Sequence, residues 1–352
     1  MTDPTPSPPP ADEAPRDPLA VLDAAGDSRE GSCPVKALGH RAGEYVYIDS
    51  GGQVRVLKAG EHKRLGILPL FAGETRWLAD SFPVFDKDGE RKPDAFSEAA
   101  AAAFLMRLCH REGLWDPATP LRGPGVWRDG SELLVHVGNA LYREREWQPP
   151  GLALGGAVYG AFPKVQRPDF AAPAGPDDGR FLLNALKLWR YESGASSAEL
   201  LLGFVGVSML GEAPDMRCHM LTIGRHGAGK TWLTQLLAAA LGGAATESND
   251  ATAAGIQQRL TGEARAVILD EAETDEAGAQ RIRAVIKLLR LMATGEGAKG
   301  LRGSSGGVAR GFSVTGSAYL AAILPPPLEP QDRSRITVLR LLPLATGATA
   351  AS

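Results

Sequence analysis

Two patterns of apolar and polar positions divide the chain. Up to about Pro176, apolar residues come in short runs broken by turn residues; past Gly179 they fall at helical spacing or in short, wholly apolar runs. In the first part, EYVYID and QVRVLKA flank a Ser-Gly-Gly turn and read as paired strands. FSEAAAAAFLMRLCHREGL reads as a helix, with Ser97 as its N-cap and Gly113 as its stop. VWRDGSELLVHVGNALYRE predicts a hairpin turning at Asp129-Gly130, with a second bend at Gly138-Asn139. PPGLALGG and PDFAAPAGPDDG read as loop and linker. In the second part, FLLNALKLWRY, SAELLLGFVGVSML, KTWLTQLLAAAL, ATAAGIQQRL (capped by Thr252 or Asp250) and AGAQRIRAVIKLLRLMATGE read as helices. CHMLTIG, RAVILDE, FSVTGSAYLAAI and RITVLRLLPL read as strands. That alternation predicts an α/β domain, a mainly parallel sheet flanked by helices, over 177–344. A smaller α+β domain over 33–176 precedes it, and 345–352 is a short flexible tail.

Composition changes this picture at few points. The chain has 352 residues, 44% hydrophobic and 22% charged, enough for two or three domains with a sizeable core. Residues 1–32 are rich in Pro and acidic residues and lack aromatics, so they read as a disordered tail. The start of the chain lacks the basic residues and apolar block of a signal peptide, and no run is long enough to span a bilayer. A cytoplasmic protein without membrane contact is expected. Cys33, Cys109 and Cys218 lie far apart, which argues against a disulfide framework or a structural zinc site. With a net charge of −3, any nucleic-acid contact must come from a local patch.

The strongest chemical signal is Gly224-Arg225-His226-Gly227-Ala228-Gly229-Lys230-Thr231, which fits the phosphate-loop pattern between a strand and a helix. Gly227 and Gly229 let the backbone curl so that successive N–H groups, those of Ala228 and Trp232 among them, can surround an anion. The following helix adds the positive end of its dipole. Lys230 is expected to reach the β- and γ-phosphates of ATP and Thr231 to ligate Mg²⁺. His226 occupies a free position of the pattern, and His219 on the preceding strand reads as structural. Forty residues after Lys230 the strand AVIL ends in Asp270-Glu271. Asp270 would hold Mg²⁺, largely through water, and Glu271 would orient or deprotonate the attacking water. Glu273 reads as a surface carboxylate.

Other features bear on what the nucleotide would drive. Arg333 and Arg335 stand just before the last strand, where ring ATPases carry an arginine that reaches the γ-phosphate of the neighbouring subunit. Either is a candidate finger. The place of a sensing polar side chain, near the end of FSVTGSAYLAAI, holds only Tyr319-Leu320-Ala321-Ala322, with Thr315 and Ser317 earlier; this weakens the expectation of efficient hydrolysis. EGAKGLRGSSGGVARG sets Lys299, Arg302 and Arg310 among glycines, a composition suited to a DNA backbone as well as to a mobile loop. Arg283, Lys287 and Arg290 share a helix face and read as solvated.

The stretches CPVKALGH, EYVYID, RLGILPLF, DPATPLRGPGVWRDG, LLVHVGNALYR, LTIGRHGAGKT, ATAAGIQQRL, VILDEAE, LRLMATGEGAKGLRGSSGG and QDRSRITVLRL together resemble the primase–helicase proteins of temperate phages and prophages. The resemblance implies a ring-forming P-loop ATPase, a hexamer with ATP and Mg²⁺ as cofactors, acting on single-stranded or forked DNA at a replication fork. Gly224, Gly229, Lys230, Thr231, Asp270, Glu271 and an arginine at 333 or 335 match its pattern. The primase region common upstream in that family has no counterpart in the Pro-rich tail, so no priming is expected and a separate primase is an expected partner. The C-terminal end, LLPLATGATAAS, is where a helical lid would be expected to be missing. The expectation is therefore an ATP-hydrolysing DNA helicase subunit from a bacterium or phage. An ATP-dependent DNA-binding switch or loader, or a truncated prophage remnant, is the alternative.

Overall fold

The computed structural model describes residues 29–248, 252–270, 276–294, 299–303, 309–323 and 328–343, with only the backbone described at 276–279, 299–303 and 309–313. The first part opens with strands β1 (Lys36–Arg41), β2 (Glu44–Ile48) and β3 (Val54–Lys58) in an antiparallel sheet. Helices α1 (Arg64–Leu70) and α2 (Arg76–Ser81) and the hairpin β4 (Pro83–Phe85) and β5 (Arg91–Phe96) lead to α3 (Glu98–Glu112). Ser97 caps α3 through the Ala100 N–H, and Gly113, at φ 85°, ends it. Tyr47, Ile67, Leu70, Phe71 and Phe104 form the core of this unit.

Seven short strands follow: β6 (Leu121–Arg122), β7 (Gly125–Asp129), β8 (Glu132–His136), β9 (Leu141–Arg143), β10 (Glu146–Gln148), β11 (Leu152–Leu154) and β12 (Ala157–Tyr159). They form sheets of order β10-β9-β8-β7 and β11-β12-β6. PPGLALGG, expected to be loop, carries β11. Trp127, Leu134, Leu141 and Tyr159 form a core that also takes in Ala264 from the second part of the chain. The backbone continues this contact: Ala264 N–H donates to Pro124 O at 2.8 Å, and Gly123 N–H donates to Gly262 O at 2.6 Å.

The second part is a five-stranded sheet with helices on both faces. Its elements are α4 (Pro176–Leu186), α5 (Ser196–Met209), β13 (His219–Gly224), α6 (Lys230–Leu241), β14 (Ala245–Ser248), α7 (Ala253–Leu260), β15 (Ala266–Leu269), α8 (Glu276–Thr294), β16 (Lys299–Gly303), β17 (Ala309–Ser313), β18 (Ala318–Ala322), α9 (Pro330–Arg333) and β19 (Ile336–Leu341). The sheet order is β14-β15-β18-β13-β19, every pair parallel. Residues alternate between its faces. Leu221, Ile223, Val267, Leu269 and Leu320 pack with α7 and α8; Met220, Ile268, Tyr319, Leu339 and Leu341 pack with α4, α5 and α6.

Four local expectations are corrected. The α4 helix begins at Pro176, inside the expected linker, because Pro176 suits its first turn and Asp178 accepts from the Gly175 N–H at 2.7 Å. It ends five residues before Tyr191. The polar stretch ATES, not expected as a strand, forms the edge strand β14. FSVTGSAYLAAI is not one strand: its start belongs to β17, and β18 begins only at Ala318. The glycine-rich basic loop is a hairpin, β16 against β17. Among the described residues no helix is long and apolar enough to cross a membrane.

Candidate functional site

The loop Gly224–Thr231 leaves the C-terminal end of β13, between β18 and β19. Gly224 is buried, and a Cβ there would meet Ala228 Cβ at 3.0 Å and Leu341 Cβ at 3.1 Å, so a side chain would press the loop and β19 apart by a few tenths of an ångström. Gly227 and Gly229 take left-handed backbone, at φ 76° and 79°. Gly229 is also the N-cap of α6. Ala228 N–H donates to Arg225 O at 3.2 Å and closes the turn. Lys230 is buried and its Nζ donates to Gly224 O at 2.8 Å and to Arg225 O at 3.3 Å. The ammonium thus lies inside the curl of its own loop. Arg225, His226, Gly227, Thr231 and Trp232 are exposed at its mouth.

Asp270 follows β15, two strands from β13, with β18 between them. At about 4.8 Å per strand the separation is roughly 10 Å, room for an anion and a cation between loop and carboxylate. Asp270 lies on the α6 face, in step with Ile268 and Ala266. A hydroxyl other than that of Thr231 reaches it. Thr234, one turn further along α6, stands 3.5 Å from Asp270 Oδ1 and donates to Lys230 O at 3.0 Å. Glu271 and Glu273 lie outside the described residues.

Arg333 and Arg335 do not join this site within one chain. Both stand just before β19, as expected, Arg333 as the last residue of α9, and Arg335 O accepts from His219 N–H at the opposite end of β13. Five residues of strand put Gly224 about 17 Å away. Thr315 and Ser317 are buried at that same far end, before β18 begins, which removes both as sensing groups. Arg290 is not on a merely solvated face: it pairs with buried Asp332 at 2.7 Å and with Glu329 at 3.3 Å, tying α8 to α9. In the hairpin, Arg302 is the Cα partner of Arg310, and Lys299 that of Ser313. Cys33, Cys109 and Cys218 are free thiols, and burial pushes each thiol up.

Besides Thr234, two groups at the site escaped the sequence reading. Trp189 donates its indole N–H to Gly229 O at 2.9 Å. Its segment is fastened to the end of β19 by Glu192 N–H to Arg340 O at 2.9 Å and Leu342 N–H to Arg190 O at 2.8 Å. Tyr319 is wholly buried under α6. A tryptophan after a helix and a tyrosine in an apolar strand carry no motif; only the fold brings them to the loop.

No family model matches the chain, and no curated protein matches it in sequence. Solved structures of the apo NrS-1 C-terminal region resemble it at 10% identity and a TM-score of 0.40 in one case. In another the identity is 12% and the TM-score 0.42. The chain is covered over 92% and 95% of its length but spans only 60% and 63% of theirs.

Proposed function

We propose that the chain is a P-loop ATPase whose nucleotide site is Gly224–Thr231 with Asp270, and that it works on DNA as a helicase subunit. The observation that carries the ATPase reading is the loop itself. Two left-handed glycines and the start of α6 follow a central parallel strand, with Lys230 folded into the curl and a carboxylate two strands away. The donor set fits a triphosphate: backbone N–H groups and a helix N-terminus for the anion, and Lys230 for its charge. Thr231 and Asp270 fit Mg²⁺, which takes one or two protein oxygens and fills its remaining positions with phosphate and water. Bound ATP–Mg²⁺ would supply the scissile phosphoanhydride and the charge neutralisation. On this reading, Lys230 leaves Gly224 O and Arg225 O for phosphate oxygens, and Asp270 keeps its place through Thr234.

The DNA reading rests on the hairpin of β16 and β17. Its backbone register makes Arg302 the partner of Arg310, and spaced cations on a glycine-rich hairpin are a composition that suits a phosphate backbone. Arg333 and Arg335, far from their own loop, fit a finger supplied to a neighbouring subunit of a ring. The test is ATPase activity with and without single-stranded DNA, alongside strand displacement. Wild-type hydrolysis should rise with DNA, Arg302→Ala with Arg310→Ala should abolish that rise, and Lys230→Ala should abolish hydrolysis itself. Hydrolysis indifferent to DNA sinks the helicase reading. One observation favours the second reading, a nucleotide-set DNA-binding switch: the end of β18 offers only Ala321 and Ala322. Nucleotide-dependent assembly without strand displacement would select it.

A further inference from the structure

Three hydroxyls from three elements converge beneath the loop. Thr222 on β13 and Tyr319 on β18 face α6, because both alternate with residues that pack against α7 and α8. In the parallel register Thr222 pairs with Ala321, and Ile268 pairs with Tyr319. The phenol thus stands one step below Thr222 on one side and one step below Asp270 on the other. Thr234 covers the group from α6 and reaches Asp270 at 3.5 Å. All three hydroxyl-bearing residues are buried: Tyr319 and Thr222 at 0% exposure and Thr234 at 3%.

Neither the Tyr319 phenol nor the Thr222 hydroxyl closes a well-formed hydrogen bond. Unpaired buried hydroxyls cost stability, and phenylalanine and valine would fill the same space without that cost. Burial pushes the Tyr319 phenol up to about 12, the approach of Thr222 and Thr234 works against that, and the charge of Asp270 adds to it. The register places the phenol one step beneath Asp270, whose Oδ1 lies 3.5 Å from the Thr234 hydroxyl.

We propose that Tyr319 is a positioning residue for Asp270: its phenol, steadied by Thr222, is the buried donor that takes up the carboxylate when a divalent cation binds with nucleotide, and so fixes which oxygen faces the metal. This rests on the nucleotide-site reading given above. The role is indirect, since Tyr319 lies a layer below the loop.

The test is metal binding rather than turnover alone. Mn²⁺ binding in the presence of ADP is measured by electron paramagnetic resonance in the full chain, beside the affinity for ADP without metal. Tyr319→Phe should weaken Mn²⁺ by about tenfold, the usual scale for a group that orients a metal ligand. ADP affinity without metal should stay within about twofold, below the effect of one net hydrogen bond, and the melting temperature should not fall. Thr222→Val, nearly isosteric, should shift Mn²⁺ in the same direction and serves if the tyrosine variant misfolds. Unchanged Mn²⁺ affinity in a folded variant overturns the proposal and leaves the nucleotide site standing. A wild-type chain that binds no ADP overturns the nucleotide site first.

Discussion

Trp189 holds Gly229 by its carbonyl, and Gly229 is the residue whose left-handed turn aims the start of α6. Losing the indole donor frees that peptide to rotate. Trp189→Phe keeps most of the ring packing and removes the N–H alone. One net hydrogen bond is worth about 0.5–1.5 kcal/mol, so ATP affinity should weaken by roughly three- to tenfold, with a much smaller change in the rate at saturation. Titration with a fluorescent ATP analogue checks this, and equal affinities for the two proteins would refute it. At this scale the sequence is legible where chemistry demands a residue type in a fixed local order. Gly224, Gly229, Lys230 and Thr231 belong to one continuous loop, and Asp270 ends an apolar strand. Trp189 and Tyr319 act through tertiary register, and Thr234 reaches Asp270 only because α6 lies across β18. Nothing in the local pattern distinguishes them from packing residues.

Elements were legible when their faces were strongly patterned. The helices α3, α5, α6 and α8 and the strands β13, β15 and β19 have long or wholly apolar faces. β14 has the polar sequence ATES and becomes a strand because β15 offers it an edge. The short helices α1 and α2 lie where no full helical period can develop. The hairpin of β16 and β17 looked like loop because its glycines mask any alternation. Contact between the first part of the chain and the sheet was equally hidden, since glycines make it. Gly125, at φ 138°, forms a parallel bridge with Ala264, and a Cβ there would lie 2.5 Å from Ala264 O. Gly125→Ala therefore combines backbone strain with a clash against backbone that cannot turn aside. A destabilisation of about 2–4 kcal/mol is expected in urea unfolding. Because Ala264 leads directly into β15 and Asp270, nucleotide affinity should fall with it. A variant as stable as wild type would show that the β7 contact is not held tightly.

At the scale of the whole molecule, charge gives little guidance: the net charge is only −3, and the exposed ion pairs each contribute little. The titratable groups with leverage are two buried histidines, one in each part of the chain. His136 accepts from Gly138 N–H at its Nδ1 and donates from Nε2 to Gly160 O at 2.8 Å, which fits the neutral ring. Burial lowers its pKa to about 4. His219, wholly buried beneath α8, is lowered to about 4 by burial and by the charge of Arg217, with the Leu289 backbone offsetting part of this. In both, the native state binds a proton less readily than the unfolded chain. Their stabilisation is complete above about pH 6.5 and is lost as pH falls toward 4, on the order of 3 kcal/mol for each ring. The urea midpoint should drop steeply between pH 6.5 and 4.5. His219→Leu replaces a ring whose nitrogens close no well-formed hydrogen bond by an apolar side chain of similar size. It should remove about half of that acid sensitivity while leaving stability at pH 7 close to wild type. Parallel pH dependences for variant and wild type would mean that protonation of His219 does not govern unfolding of the sheet.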